Sequence, residues 1–421
     1  MIRIIYTLLL LLVSPILLFG LYRKKIGKPR YGKRWKEHFG ITPKFLSNKK
    51  PIWIHAVSVG ESIAAIPLIQ ALKKQHPYQP IIVTTTTSTG AEQISKLGDL
   101  VEHRYMPIDF EFAIKGFIKT INPQKMLIIE TELWPNTLHE VNKHGIPIII
   151  VNARLSEKSC QNYKKIQPLF NLIHPKITKI LCQTQADAER FNRLGVAKEK
   201  LSITGSIKFD IDISDDVINK ASLLRTDLGK TRPIWIAAST HQGEDEQVLS
   251  AHKKVLKEHP NTLLILVPRH PERFNSIFEL CQQQGFKTIR RTSDQKVTES
   301  TQVYVGDTMG EMLILLGAAD ICFMGGSLIG NKVGGHNVLE PAALGIPIIT
   351  GPSYFNFKDI VDNLYSNNAI NICSTSNELS TDINSLINNQ DNYHSLSKKL
   401  LHFINLNKGA IQLTIMKISD L

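Results

Sequence analysis

The sequence has 421 residues, more than one hydrophobic core usually serves, so we expect two domains. Apolar residues make up 43% and charged residues 21%, which are globular values and exclude a mostly disordered chain. The five cysteines show no C-x-x-C spacing, which disfavours a disulfide scaffold or a thiolate zinc site and favours a reducing compartment.

The formal net charge of +13 is concentrated in one short block. Residues 23–50 hold eleven Lys and Arg side chains against Glu37 alone, a local charge of +10, whereas residues 51–421 carry only +2. A nucleic-acid binder would need basic charge on its folded body. We therefore expect no nucleic-acid partner.

Residues 1–22 are predicted to form a transmembrane anchor. The stretch from Ile4 to Tyr22 has nineteen residues without a charge, about 28 Å of helix, close to the hydrocarbon thickness of a bilayer. A cleaved signal peptide is the alternative, but its apolar core is shorter and ends at small residues, whereas this stretch runs directly into Arg23. The excess of cations after the span predicts a single pass with the following domains on the cytoplasmic side.

The basic juxtamembrane segment, residues 23–50, also carries aromatic side chains. Tyr31, Trp35 and Phe39 recur every four residues, and cations surround them. This pattern suits a helix lying in the headgroup layer beside anionic lipid. The alternative is that the aromatic stripe packs on the globular body.

After residue 50 the chain alternates short apolar runs with amphipathic stretches, which predicts βαβ units and parallel sheets. Five strands are predicted in each half: Ile52–Ala56, Ile81–Thr85, Met126–Ile129, Ile146–Val151, Ile177–Cys182, then Ile234–Ala237, Leu263–Val267, Val303–Val305, Ile321–Phe323 and Ile346–Ile349. The polar stretch 213–230 is predicted to be a linker between Rossmann-like domains at 51–212 and 231–421. Ligands of such sheets bind beyond the carboxyl ends of the strands, so we expect a cleft between two facing domains.

Two segments of the first half place carboxylates after strands. Glu61 follows Gly60 in a strand–turn–helix pattern, where the helix dipole favours an ionised carboxylate and hence a base. An ordinary acidic residue at a helix start is the alternative. Glu130 and Glu132 follow the third strand and would share one side of an extended chain, unless either only caps a helix. Lys208 could offset the charge of an anionic substrate.

The second half has the residue types of a nucleotide site. Arg269 follows Pro268 at a strand end, and its fork suits phosphate. Residues 306–311 open a helix whose free N–H groups could take an anion. The stretch 324–341 has two glycine pairs that permit close backbone approach, and Glu340 could accept hydrogen bonds from the two hydroxyls of a ribose. A solvated loop is the alternative for the first two segments.

Together these segments resemble the 3-deoxy-D-manno-octulosonic acid (Kdo) transferases. The motifs that carry the resemblance are S-V-G-E (58–61), E-T-E-L-W-P-N (130–136), N-A-R-L-S (152–156), K-F-D (208–210), S-T-H-x-G-E (239–244), L-V-P-R-H-P-E-R-F (266–274), D-T-M-G-E (307–311) and G-G-H-N-x-L-E (334–340). The resemblance runs from the anchor to about residue 360, and it implies a GT-B fold whose C-terminal helix often returns to the first domain.

The resemblance also implies a reaction: an inverting, metal-independent transfer of Kdo from CMP-Kdo to the tetra-acyl lipid A precursor at the cytoplasmic face of the inner membrane, without a cofactor. Glu61 would be the general base, and Glu130 and Lys208 would support the transition state. The CMP-binding residues implied by the motifs are Pro268, Arg269, Met309, Gly310, Glu311, Asn337, Val338, Leu339 and Glu340.

Three other interpretations compete with this one. Asp210-Ile-Asp212 matches the D-x-D metal motif of another glycosyltransferase class, but it lies at the start of the polar stretch. Another GT-B nucleotide-sugar transferase or a non-hydrolysing epimerase would share the fold, although an epimerase needs no anchor. A tethered, catalytically dead nucleotide-binding scaffold would lack Glu61 or the Arg269 and Glu340 pair, and all three are present.

Overall fold

The computed structural model describes residues 2–23 and 29–420, so Lys24, Lys25 and Lys28 of the basic segment lie outside the described residues. The chain divides into two compact units. Unit 1 comprises Met1–Asp210 together with Asn407–Leu421, and unit 2 comprises Ile211–Leu406.

Unit 1 is built on a seven-stranded parallel sheet of order β3-β2-β1-β4-β5-β6-β7. Its strands are β1 Ile52–His55, β2 Ile81–Thr85, β3 Glu102–Tyr105, β4 Lys125–Ile129, β5 Ile148–Ala153, β6 Lys179–Cys182 and β7 Leu201–Ile203. Its α-helices before unit 2 are α1 Ile2–Tyr22, α2 Val59–Gln75, α3 Ser88–Ser95, α4 Glu111–Ile121, α5 Pro135–Lys143, α6 Glu157–Lys165, α7 Gln167–Ile173 and α8 Gln185–Arg193.

Unit 2 repeats the architecture with the order β10-β11-β9-β8-β12-β13-β14, again parallel. Its strands are β8 Ile234–Thr240, β9 Leu263–Pro268, β10 Thr288–Arg290, β11 Val303–Val305, β12 Ile321–Met324, β13 Ile348–Thr350 and β14 Asn371–Ile372. The remaining helices are α9 Asp215–Leu228, α10 Asp245–Glu258, α11 Phe274–Gln283, α12 Met312–Gly317, α13 Leu339–Ala343, α14 Lys358–Ser366, α15 Ser376–Asn388, α16 Gln390–Asn407 and α17 Ala410–Ser419.

The cores explain why the strands read as continuous apolar runs. Along β1, Trp53 joins the cluster on one face of the sheet, while Ile52 and Ile54 join the cluster on the other face. A parallel sheet covered by helices on both faces buries successive side chains alike, so no polar alternation remains in the sequence. The predicted fold class, two α/β domains with parallel sheets, is confirmed.

Two segments outside the sheets differ from the sequence-based interpretation or add to it. The stretch 213–230 is mostly helical, because α9 buries Ala221, Leu224 and Leu228 and its Arg225 pairs with Asp320 at 3.0 Å. The last helix, α17, lies in unit 1, where Ile411 and neighbouring apolar residues join the core beside α2.

The predicted aromatic stripe of the basic segment is not continuous. Residues Gly32–Phe39 form a 3₁₀ helix, on which the Trp35 and Phe39 rings pack edge-on with their centres 5.7 Å apart. Tyr31 packs on Tyr105 with ring centres 4.8 Å apart and donates a hydrogen bond to the Thr86 carbonyl, while Trp35 stays exposed. The segment therefore both packs on the body and presents an aromatic ring to solvent.

The described part of the chain contains one helix long and apolar enough to cross a membrane, α1. It has 21 residues and buries none of them fully.

Candidate active site

Glu61 is held at the start of α2 by a capping box. Ser58 is extended, and its Oγ accepts the N–H of Glu61 at 3.4 Å, which begins the helix. The carboxylate reaches back, so that Oε2 accepts the N–H of Val57 at 2.5 Å and Oε1 accepts the Ser58 hydroxyl at 3.2 Å. The S-V-G-E motif thereby fixes one carboxylate just beyond the end of β1.

Burial opposes the helix dipole at Glu61. Burial, aided by the neighbouring Glu132 and Glu130, raises the pKa of Glu61 to about 7 against the hydrogen bonds from Val57 and Ser58. The side chain is only 8% exposed, so the loss of water outweighs the favourable helix N-terminus. A base whose pKa lies near neutrality is well matched to taking a proton from a hydroxyl at physiological pH.

Glu130 and Lys208 form an ion pair in unit 1. The Lys208 Nζ lies 2.9 Å from the Glu130 Oε1. Glu130 has a positive φ of 63°, a strained conformation for a non-glycine residue and one that is enriched at functional sites. Asn152, with a φ of 57°, accepts the N–H of Ile207 on its Oδ1 at 3.2 Å and so positions the turn that carries Lys208.

Glu132 belongs to the same group of carboxylates. Its Oε2 accepts the Trp134 indole N–H at 3.3 Å, and burial raises its pKa, with Glu130 adding to the shift. The argument that Glu130 and Glu132 share a side required an extended chain, and the left-handed Glu130 interrupts it. Both carboxylates nevertheless raise the pKa of Glu61. We call Glu61, Glu130 and Glu132 the carboxylate site.

Unit 2 carries a loop organised by a buried carboxylate that the motif analysis did not single out. Glu244 is fully buried, and its carboxylate accepts the N–H groups of Gly326, Ser327 and Leu328 at 2.7, 2.8 and 2.9 Å. It also accepts the N–H of His241 at 3.1 Å. Four donors on one carboxylate fix the glycine-rich loop after β12 in a single shape. The position of Glu244 after a strand was visible in the sequence, but its partners, more than eighty residues away, were not.

Histidines from three strand ends meet beside this loop. The His241 and His336 rings stack 5.0 Å apart with their Nε2 atoms at 2.8 Å, and His270 packs edge-on against His241. Burial lowers the pKa of His241 to about 4 and that of His336 to about 3. Both rings are therefore neutral at pH 7, and one donates its N–H to the other.

Arg269 and Asn337 both act on Glu340. Arg269 directly follows β9, is exposed, and lowers the pKa of Glu340 against the stronger opposite effect of burial. Asn337 donates from Nδ2 to the Glu340 Oε1 at 3.1 Å and accepts the Leu339 N–H at 3.1 Å. We call Glu244, Arg269, Asn337 and Glu340 the glycine-loop site.

Other residues predicted to bind CMP have their side chains committed elsewhere. Pro268 ends β9 in the core, and Val338 and Leu339 are each 1% exposed, so these three can offer a ligand only backbone atoms. Glu311 pairs with Arg291 at 3.1 and 3.2 Å, which lowers its pKa.

Met309 and Gly310 complete the predicted nucleotide set. Met309 is 63% exposed, and Gly310 has a positive φ of 84° in the turn before α12.

Asp210 of the D-x-D motif has a structural partner. Its two carboxylate oxygens accept the N–H groups of Gly409 and Ile411, each at 2.6 Å, and so cap α17. Among the residues that the structure describes, no group of three or more His, Cys, Asp and Glu side chains is arranged to hold a metal ion.

The two parallel-sheet units and the groups beyond their strand ends define a two-domain glycosyltransferase. Residues 33–211 match the family model of 3-deoxy-D-manno-octulosonic-acid transferase (kdotransferase), and residues 233–400 match that of glycosyl transferases group 1. The 3-deoxy-D-manno-octulosonic acid transferase of Haemophilus influenzae is 41% identical over 417 residues, 97% of this chain and 96% of that protein. The chain belongs to the Kdo transferase family, which confirms the resemblance drawn from its motifs, and its activity is Kdo transfer.

Solved structures were matched as well. The UDP-GlcNAc 2-epimerase of Neisseria meningitidis is similar over 88% of this chain and 100% of that one, with a TM-score of 0.57 and 12% identity, a likeness of fold alone. The C-terminal CMP-Kdo binding domain of WaaA from Acinetobacter baumannii is 35% identical over 45% of this chain and 98% of that one, with a TM-score of 0.43.

Proposed function

We propose that this chain transfers Kdo from CMP-Kdo to the tetra-acyl lipid A precursor, with inversion at the anomeric carbon and without a metal ion. The observation that carries the proposal is Glu61, a buried carboxylate locked by Val57 and Ser58 beyond a strand end. Membership of the Kdo transferase family identifies Kdo as the group that is transferred. The chemistry of the two sites supports the other parts of the proposal.

In the proposed reaction Glu61 takes the proton from a hydroxyl of the acceptor. The acceptor oxygen attacks the anomeric carbon of Kdo while the bond from that carbon to the CMP phosphate breaks, and CMP leaves as the anion. A single displacement of this kind inverts the configuration. The protonated Glu61 is a stable product of the step because its pKa lies near 7.

The glycine-loop site has the groups needed to bind the nucleotide. Arg269 would pair with the phosphate, and Glu340 would accept hydrogen bonds from the ribose hydroxyls. Glu244 would act indirectly, because it fixes the loop of Gly326, Ser327 and Leu328 before any ligand arrives. Donors preorganised in this way can stabilise charge on a leaving group without reorganising, which is the role a metal ion plays in other transferases.

Glu130 and Lys208 are proposed to support the transition state together. The ammonium of Lys208 lies 2.9 Å from the Glu130 carboxylate and holds it in place. Glu130 would in turn stabilise the positive charge that develops on the sugar ring as the bond to CMP breaks.

The membrane acceptor and the inner-membrane location belong to the same proposal. α1 has 21 residues, of which those from Ile4 to Tyr22 carry no charge, and the body of the protein would lie on the cytoplasmic side. A cavity of about 580 Å³ opens beside the end of α1 and is lined by Arg23, Arg30, Trp35 and the start of α3. Two guanidinium groups and an aromatic ring suit the anionic headgroup of a lipid.

Mass spectrometry of the product tests the proposal. The full-length protein in detergent micelles is incubated with CMP-Kdo and the tetra-acyl precursor, with and without EDTA, and the anomeric configuration of the product is read by NMR. We expect an added Kdo in the inverted configuration and no effect of EDTA. Transfer that stops in EDTA, or a product of retained configuration, contradicts the proposal.

A second measurement separates this proposal from an enzyme that uses UDP-sugars. We expect CMP, and not UDP, to raise the melting temperature of the protein. Glu340→Ala should remove that stabilisation, because the ribose hydroxyls lose their acceptor, while Glu279→Ala, at an exposed position of α11, serves as the matched control. Stabilisation by UDP alone would favour another GT-B enzyme.

A further inference from the structure

The first two turns of α1 are hydrogen-bonded to the globular part of unit 1. The Tyr6 hydroxyl donates to the Asp109 Oδ2 at 2.9 Å, and Asn136 donates from Nδ2 to the Thr7 Oγ1 at 3.0 Å. Arg3 lies 3.5 Å from the Glu111 carboxylate. The start of the anchor is therefore attached to the α4 and α5 region of the folded domain.

The other end of α1 is attached to the same unit. The Tyr22 hydroxyl lies 2.7 Å from the Nδ1 of His38, a buried residue of the 3₁₀ helix Gly32–Phe39. The rings of Tyr22 and Tyr31 also pack edge to face. The 21 residues of α1 span about 31 Å, so both contacts together hold the helix along the surface of unit 1.

The exposure pattern of α1 has the period of a helix with one covered face. The half-buried positions between the two ends are Leu10, Ser14, Leu18 and Leu21, in register with Arg3 and Thr7. The opposite side is an exposed apolar face, which consists of Ile4, Ile5, Leu8, Leu9, Leu11, Leu12, Val13, Ile16, Leu17 and Phe19. Such a face on a protein surface requires an apolar partner.

We propose that α1 lies in the plane of the membrane, docked on unit 1, with its apolar face embedded in one leaflet, and does not cross the bilayer. This differs from the single pass that length and charge alone predict. A crossing helix attached at both ends would draw Asp109, Glu111 and Arg3 to the far side of the hydrocarbon region. Moving these charged groups through hydrocarbon is costly, and no such cost arises when the helix lies flat.

The partner of the apolar face is a leaflet that contains anionic lipid. Arg23, Arg30, Lys33 and Lys36 are exposed near the end of α1, and the half-exposed Trp35 lies among them. Cations and a tryptophan beside an apolar face match the headgroup layer and the acyl region beneath it. This inference refines the membrane attachment included in the proposed function and rests on that part of it.

The docked helix also contacts the segment that follows the carboxylate site. Asp109, which accepts the Tyr6 hydroxyl, also accepts the N–H groups of Asn136 and Thr137 at 3.0 and 2.7 Å and so caps α5. α5 begins immediately after the segment that carries Glu130 and Glu132. The Asp109 carboxylate therefore connects α1, the helix proposed to enter the lipid, to the N-terminus of α5.

The first test measures on which side of the membrane the N-terminus lies. An epitope tag is added before Met1 of the full-length protein, and protease is applied to inverted inner-membrane vesicles, whose cytoplasmic face is outside. We expect the tag and the body to be digested together. A tag that is protected while the body is digested means that the helix crosses, and it overturns the proposal.

The second test measures depth. All five native cysteines are buried, so single cysteines at Ile5, Leu12 and Phe19 can be labelled with an environment-sensitive fluorophore. In vesicles of phosphatidylethanolamine and phosphatidylglycerol, lipids brominated at different depths should quench all three positions at one shallow depth. A profile that is deepest at Leu12 indicates a crossing helix, and no quenching with a dimeric protein indicates that a second copy covers the face; either result overturns the proposal.

A matched pair of variants checks that the apolar face itself binds lipid. Leu12→Glu should weaken co-sedimentation with these vesicles by about a hundredfold, whereas Leu223→Glu, on an exposed position of α9, should leave it unchanged. Equal binding of both variants contradicts the inference. Kdo transfer is measured on the same samples in detergent, so a failure of the reaction and a failure of the in-plane arrangement are read separately.

Discussion

The two sites of this enzyme use carboxylates in opposite ways. In the carboxylate site of unit 1, three acidic side chains lie close together and burial raises the pKa of Glu61 to about 7, which suits the proposed base. In the glycine-loop site of unit 2, Glu244 is buried just as deeply but is saturated by four backbone N–H groups. A buried carboxylate with few hydrogen-bond donors has a raised pKa and can exchange a proton near neutral pH. A carboxylate with a full set of donors stays ionised and holds the backbone in place.

The largest effect should come from Glu61→Gln, which keeps the shape of the side chain but removes the base. We expect the rate of Kdo transfer to fall by about 10²–10⁴, the usual contribution of general base catalysis. The stabilisation by CMP should persist, because the nucleotide is proposed to bind at the glycine-loop site. Near-normal turnover in a rate assay with CMP-Kdo would show that another group takes the proton.

The second prediction concerns the glycine-loop site, where a substitution should weaken CMP binding and leave the proton transfer unchanged. Glu244→Gln replaces one acceptor oxygen by a donor that faces backbone N–H groups, and each unsatisfied buried donor costs about 1–3 kcal/mol. We expect CMP to bind about ten- to a hundredfold more weakly in calorimetry, while the pH dependence of transfer stays that of the wild type. Unchanged CMP affinity would mean that the loop keeps its shape without this carboxylate.

The third prediction concerns pH and distinguishes the sites by titration. Because the pKa of Glu61 is about 7, kcat/KM should fall about tenfold per pH unit below that value. Rate measurements between about pH 5 and about pH 8 test this. A limb that falls only below about pH 5 would indicate an ordinary carboxylate.

The same titration predicts a change in stability with a definite sign. A raised pKa means that folded Glu61 binds its proton more tightly than the unfolded chain does. Its contribution to stability is fully present below the unfolded pKa of about 4.5 and is lost as the pH rises through about 7. Urea unfolding should therefore show wild type losing stability relative to Glu61→Gln as the pH rises through that range.

The smallest effect should come from Lys208→Met. The Lys208 and Glu130 side chains are 37% and 29% exposed, and a pair this accessible contributes about 0.2–1 kcal/mol to stability. We expect the free energy of unfolding in urea to fall by less than about 1 kcal/mol, with a clearly larger relative loss of transfer rate. A loss of stability without a loss of transfer rate would mean that the ion pair has a structural role only.

The strands that were predicted from the sequence and those that were missed occupy different positions in the sheets. All ten predicted strands are present, with ends shifted by up to three residues. The four that were missed, β3, β7, β10 and β14, are the four edge strands. A central parallel strand is covered on both faces and reads as an apolar run, whereas β3, Glu-His-Arg-Tyr, is polar because an edge is partly open to water.

The candidate site was predictable as a set of residue types but not as a set of interactions. Glu61, Arg269 and Glu340 stand at strand ends, where the general rule for doubly wound sheets places ligands. The positive φ of Glu130, the pKa of Glu61 and the four donors of Glu244 arise from groups far apart in the chain. Local patterns carry no information about such partners, so the sequence did not indicate that burial raises the pKa of Glu61 to about 7.

The cap that Asp210 provides for α17 has a consequence for fragments of this protein. Unit 2 is one uninterrupted stretch, Ile211–Leu406, so a gene fragment with these ends encodes the whole of this unit. A fragment that stops at Asp210 would instead lack α17, whose Ile411, Ile415 and Ile418 complete the core around α2. Deleting the last fifteen residues should thus damage unit 1, including α2, the helix that carries Glu61.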